Sequence, residues 1–272
     1  QTCALPIYDL VRNIPNLTGN NNVGVGTSSS YYIRGIGNGE SIATFDVPVG
    51  TYVDDVYIAR QNQNNFSMFD VERIEVLRGP QGTLFGSNTT GGAINIVMKK
   101  PSAEHRGYVE AGIGRFGLYS ARASTDLPIS DKILTKLSVY KVKDDGYAYQ
   151  ISTGNKLNDR DATGLRGEVR LLPTDSLTVD LIAEWIADRN TNFLNVLDAN
   201  GNRIVNNKLQ KGALVGTFVG AKANFDVGNE ASTRAYTMNV KWNLGENLSL
   251  TSISGYRYTY HDFLVEIGRA HV

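Results

Sequence analysis

The chain has 272 residues with 27 Lys plus Arg against 27 Asp plus Glu, so its formal charge is zero and no net field selects nucleic acid or acidic substrates as partners. Mean hydropathy is −0.24, and no apolar run in the sequence approaches the roughly 18 residues of a spanning helix. A transmembrane barrel stays open, because its alternating faces keep average hydropathy low, and the 28 Gly and 14 Tyr suit that reading better than a soluble one.

The two ends are related at the level of DNA. Thr2–Ile7 (TCALPI) can be encoded by ACGTGTGCTCTTCCGATC, whose reverse complement, read from its second base, encodes Ile267–Val272 (IGRAHV). This is similar to a translated sequencing adapter, and the expected native frame spans about Tyr8 to Glu266, with 1–7 and 267–272 outside it. Cys3 and His271 then carry no information, and the sequence offers no disulfide framework.

Asp9–Leu17 places Leu10, Val11 and Ile14 at helical spacing and is predicted to be a short helix ended near Asn13 by Pro15. Asn20–Ser30 reads as a loop or weak edge strand and Tyr31–Gly35 as a strand. Gly37–Phe45 and Ala59–Ser67 are polar and read as exposed loops. Between them Val49–Ile58 is β-rich. Its Asp54 and Asp55, with Asp46 nearby, invite a hard cation, but a hairpin turn or the polar face of the strand explains them better. The chain holds no His or Cys cluster that could ligate zinc or iron, so no metal site and no cofactor is expected.

Phe69–Lys100, FDVERIEVLRGPQGTLFGSNTTGGAINIVMKK, is the most informative stretch. Two β-rich runs, 72–77 and 93–98, flank a segment punctuated by Gly79, Pro80, Gly82, Gly86, Asn88, Gly91 and Gly92, residues that permit tight turns and close backbone approach. A phosphate-cradling loop is the competing reading, but GPQGTLFGS lacks the Lys that precedes Ser or Thr in such loops.

This run closely resembles the plug domain of TonB-dependent outer-membrane receptors, whose motif is VERIEVLRGPQG followed by LFG, an Asn and GGAINI. YIRGIG at 32–37 and VGTYVDDVYI at 49–58 resemble the earlier plug strands. The resemblance implies an α+β plug over 8–103, followed over 104–266 by antiparallel transmembrane β-barrel strands, an incomplete barrel of about seven. It implies no enzyme. The implied activity is active import of a bulky, scarce ligand, most often a ferric siderophore, with glycans, cobalamin or haem as alternatives. Implied partners are TonB, through an N-terminal box that is not in the sequence, and outer-membrane lipid, with no nucleic acid.

The resemblance also implies roles for single residues. Arg34, Glu75 and Arg78 match the IRG and IEVLRG positions and would hold the plug by charge pairing with barrel carboxylates. Glu110, Glu168 and Glu184 lie on the predicted lumen faces and are the candidate partners. In the polar loops, Asn38, Glu40, Arg60, Gln61, Gln63 and Phe66 are candidate ligand contacts.

After Pro101 the pattern changes to long segments with period-2 alternation, predicted as strands at 106–115, 118–127, 132–144, 160–171, 176–188, 231–244 and 247–261. In the fourth, Leu165, Val169 and Leu171 alternate with Arg166, Glu168 and Arg170; in the fifth, Leu177 to Trp185 alternate with Thr178, Asp180 and Glu184. Apart from a tight first turn at Phe116–Gly117, short connections alternate with long ones at 145–159 and 189–230, as they do where periplasmic turns are tight and outer loops long. Tyr140, Tyr147, Tyr149, Trp185, Trp242, Tyr256, Tyr258 and Tyr260 gather near strand ends as interfacial girdles would. Two other classes compete. A passive porin or adhesin barrel would not carry the plug motif, and a soluble β-rich enzyme finds no Ser, His and Asp set or paired catalytic carboxylates to support it.

Overall fold

The computed structural model describes residues 11, 14–22, 25–39, 45–61, 64, 69–149, 156–191, 196–197, 203–205, 208–210 and 228–264. The N-terminal part holds β1 (Leu17–Asn22), β2 (Val25–Ile33), β3 (Ile36–Gly37), β4 (Val49–Val53), β5 (Val56–Tyr57), β6 (Val71–Arg78), a one-turn α1 (Gly82–Phe85) and β7 (Gly92–Met98). They form a three-stranded sheet β1-β2-β3 and a four-stranded mixed sheet β5-β4-β7-β6, in which β4 and β7 run parallel. The sequence explains the order. GAINIVM is apolar on both faces, so β7 takes a central place with Ala93, Ile94 and Ile96 fully buried, while the charged VERIEVLR lies at the edge as β6.

The wall follows as β8 (Gly107–Ile113), β9 (Tyr119–Asp126), β10 (Ile133–Asp144), β11 (Ala148–Tyr149), β12 (Lys156–Leu157), β13 (Arg160–Thr174), β14 (Leu177–Asn190), β15 (Val196–Leu197), β16 (Arg203–Val205), β17 (Lys208–Gln210), β18 (Gly228–Gly245) and β19 (Leu248–Leu264). Seven of these make one antiparallel meander, β8-β9-β10-β13-β14-β18-β19, at the expected positions. The two long connections are not bare loops. One carries the β11–β12 hairpin and the other the small β15-β16-β17 sheet. Among the described residues β8 and β19 end the sheet, which does not close into a barrel.

Alternation sorts the wall's two faces. Leu165, Leu181 and Trp185 are exposed on one side, whereas Arg166, Glu168, Asp180, Ile182 and Glu184 are buried on the other, against the N-terminal domain. One apolar cluster joins Ile33, Val49, Val53, Ile94, Ile96 and Met98 of that domain with Ile186 of β14, so domain and wall share a core.

The 20–30 segment is the β1–β2 hairpin, with Ser28, Ser29 and Ser30 fully buried, because small side chains let this strand pack closely. Asn64 completes it: its amide accepts from Ser29 N at 2.7 Å and donates to Ser29 O at 2.8 Å, standing in for a neighbouring strand. Tyr140 is not a girdle residue. It turns inward over Gly164, where a Cβ would lie 2.1 Å from its ring, and meets Phe69 at 4.7 Å between centroids. The helix expected at 9–17 falls largely outside the described residues, although Val11 and Ile14 pack on the core and Leu17 N donates to Ile14 O at 3.3 Å. The terminal hexapeptides also lie outside the described residues.

Candidate functional site: the junction of plug turns and wall

The glycine-rich segment is a closed excursion between β6 and β7. Gly79 N donates to Gly91 O at 3.1 Å and Gln81 N to Thr89 O at 3.0 Å, which clamps its base. Gly92 sits at φ +147°, and a Cβ there would lie 2.3 Å from Leu77 O, so glycine is required. Asn88 takes φ +65° and donates to the Tyr57 hydroxyl at 3.2 Å. Tyr52 donates to Phe85 O at 2.7 Å and packs edge-on against the Phe85 ring. Burial, with the neighbouring Tyr57, pushes the Tyr52 hydroxyl up to about 12.

The β4–β5 hairpin turns through Asp54 and Asp55, at φ +48° and +65°, the positive pair a two-residue hairpin demands. This turn presents Asp54 to the wall. Asp54 accepts from Met98 N at 3.1 Å and meets Arg166 of β13 at 2.5 Å. Arg166 also reaches Glu168 and Glu184, each at 3.3 Å, and Arg257 of β19 pairs with Glu184 at 3.2 Å. Lys100 lies 3.3 Å from Asp54 and 3.4 Å from Glu168. Three carboxylates and three cations thus balance in one largely buried cluster. Desolvation can cancel the Coulomb gain of such a group, but removal of one member leaves an uncompensated charge.

A second contact lies at the FD pair that precedes β6. Asp70, at φ +56°, accepts from Ser124 at 2.8 Å and Ser138 at 2.7 Å and has Lys136 at 3.3 Å. Lys136 also pairs with Asp126 at 3.4 Å. Phe69 seats beside it on Tyr140, Val142 and Ala162.

The residues proposed from the sequence distribute unevenly over this geometry. Glu168 and Glu184 stand in the cluster. Glu110 instead pairs with Arg122 at 2.6 Å within the wall. Arg34 occupies a two-residue turn with Gly35, at φ +53° and +81°, and is exposed, as is Arg78 at the end of β6. Glu75 bonds Arg73 at 2.7 Å and Asn95 at 3.3 Å, and the Arg73 bond holds its carboxyl below the usual range. At the described contacts it is Asp54, Asp70 and Lys100 that bring the domain's charge to the wall. Of the loop residues, Asn38 is half-buried, Arg60 pairs with Asp46 at 2.9 Å and Gln61 is buried; Glu40, Gln63 and Phe66 lie outside the described residues. Among the described residues no group of three His, Cys, Asp or Glu could hold a metal ion. Alternation had already put Arg166 and Glu168 on the inner face, but no local signal in the sequence marked Asp70 or Lys136 as contacts.

The TonB-dependent Receptor Plug Domain family matches residues 3–93. The N-terminal third of the chain is therefore similar to the plug domain of TonB-dependent receptors. The pesticin receptor of Yersinia pestis is 33% identical over 153 residues, 54% of this chain and 22% of the relative. The vitamin B12 transporter of Vibrio cholerae is 28% identical over 177 residues, 63% of this chain and 27% of the relative. The chain therefore spans about a quarter of the length of these curated relatives. Among solved structures, the ferric yersiniabactin uptake receptor of Yersinia pestis superposes with a TM-score of 0.77 at 24% identity, covering 94% of this chain and 38% of that one. The ferric-catecholate import receptor Fiu of E. coli gives 0.69 at 18% identity, covering 96% and 37%. At these identities the superpositions establish the fold. In the terms of that fold the N-terminal domain corresponds to the plug and the seven-stranded meander to part of the barrel wall.

Proposed function

We propose that the chain is the plug and adjoining wall of an outer-membrane receptor that imports a ferric siderophore with energy delivered through TonB. The plug occupies 8–103 and the wall 104–266. The observation that carries the reading is the charge-balanced cluster of Asp54, Lys100, Arg166, Glu168, Glu184 and Arg257, in which a plug turn meets the wall through polar contacts rather than apolar packing alone. Breaking such a junction exposes groups that water solvates well, so a plug seated this way can shift without the full cost of opening an apolar core. The ferric yersiniabactin uptake receptor and the ferric-catecholate import receptor among the structural neighbours support the ligand class.

Growth and uptake by cells carrying the intact receptor, supplied with ferric siderophores, cobalamin, haem or oligosaccharides, test the reading. TonB-dependent uptake of a ferric siderophore upholds it. TonB-dependent uptake of cobalamin, the ligand class named in the Vibrio relative, changes the ligand alone. Equal uptake with and without TonB refutes coupling and favours a passive barrel.

A further inference from the structure

We propose that the outer face of the wall carries a binding site for a phosphorylated glycolipid of the outer leaflet, with one acyl chain in a groove on β10–β18 and a phosphate on Arg234. The inference rests on the proposed reading of the wall as membrane-spanning.

Strand register aligns the outward side chains in rows. Leu137, Gly167, Ala183 and Tyr236 form one row, and Val169, Leu181 and Met238 the next. Leu137, Leu181, Tyr236 and Met238 are all exposed, whereas Gly167 has no side chain and a Cβ there would meet nothing within 4 Å. Small residues between tall ones leave a groove of about 770 Å³ on this apolar surface. A methylene chain fits such a trough, because each CH₂ taken from water contributes about 0.8 kcal/mol, and shape decides where along the wall the chain lies.

One row nearer the long connections, Trp185, Arg234 and Tyr258 align. Arg234 is exposed and has no ion-pair partner among the described residues. It stands two residues from Tyr236 along β18, about 7 Å at strand rise. The next charges outward are already matched, Lys143 with Asp161 at 3.7 Å and Arg189 with Glu230 at 3.8 Å. An unmatched guanidinium on an apolar, aromatic-flanked wall favours an anionic partner, and its fork suits phosphate. The long connections face outward in this reading, which places Arg234 in the leaflet where bacterial outer membranes hold phosphorylated glycolipid.

The test is native mass spectrometry of the intact receptor in mild detergent with three probes: a phosphorylated acyl-disaccharide lipid, its dephosphorylated form and dioleoylphosphatidylglycerol. A one-to-one adduct with the first is expected, weakened at least tenfold in Arg234→Gln, at least tenfold in Gly167→Leu, and equally by dephosphorylation of the probe. Thermal melting of both variants controls for folding. No adduct, unchanged binding in either folded variant, or equal binding of phosphatidylglycerol overturns the proposal while leaving TonB-coupled uptake intact. Absence of the receptor from the outer membrane overturns both.

Discussion

Asp54, at the tip of a plug hairpin, meets Arg166 of the wall at 2.5 Å across a sequence separation of 112 residues. Both side chains are nearly inaccessible to water. Replacing Arg166 with Met leaves Asp54, Glu168 and Glu184 facing only Lys100 and Arg257. A loss of about 3–5 kcal/mol is expected. In the intact receptor the change should speed hydrogen exchange at Thr51–Val53, with the outer rows of the wall unaffected. Unaltered exchange across β4 would show that apolar packing alone seats this turn.

Gly92 and Gly79 separate two costs of glycine replacement. At Gly92→Ala the new methyl would meet Leu77 O, and the backbone is also in a region that side chains rarely adopt, so the loss should exceed about 3 kcal/mol. Gly79 has φ +91° but open space, and Gly79→Ala should cost about 1–2 kcal/mol. Denaturant midpoints of the two variants provide the comparison. Equal losses would mean that contact with Leu77 is relieved by a small shift.

Asn64→Ala removes both bonds that this side chain makes to the buried Ser29 backbone. The expected cost is about 1–3 kcal/mol per group. Calorimetry of the variant reads the sum, and protection of the Ser29 amide from exchange should be the first property lost.

The plug should respond to pH at both extremes. Tyr52, with its hydroxyl pushed up to about 12, keeps its proton when the unfolded chain begins to lose it near 10. Stability is therefore complete below about pH 10 and falls as pH rises from there to about 12. Tyr52→Phe should remove that alkaline slope. Glu75 has the opposite sign: its depressed carboxyl stabilises the plug above the ordinary glutamate range, and the benefit is lost as pH falls through it. Glu75→Gln should flatten the acid limb slightly, since this side chain is half-exposed. Thermal melts across pH measure both slopes.

Much of the architecture could be read directly because one physical rule repeats through it. A wall with an apolar outside and a polar inside alternates with period 2, so Leu165 against Arg166 and Trp185 against Glu184 revealed strands and faces together. The plug was legible through its motif, where Gly92 reports a backbone approach that no other residue permits. The junction was harder. Motif position pointed to Arg34 and Arg78, but both are exposed, and among the described residues neither pairs with a wall carboxylate. Asp54 was seen as a turn residue. Nothing local shows that the same turn would aim it at a strand 112 residues away. The Ser28–Ser30 run reads only as a loop or weak edge strand, because a polar composition hides burial when the burial depends on Asn64 from another segment.

Lys100 gives the junction a mechanical character. It lies two residues beyond β7, on the strap that joins plug to wall, and its ammonium group lies between Asp54 and Glu168. Tether and latch therefore share a counter-ion. A pull that withdraws the Asp54 turn also strips Lys100 of half its anionic surroundings, so the strap loosens at the moment the turn leaves. Drawn from its N-terminal side in a force experiment, the plug should release these contacts in one rupture, with no separate step at the strap.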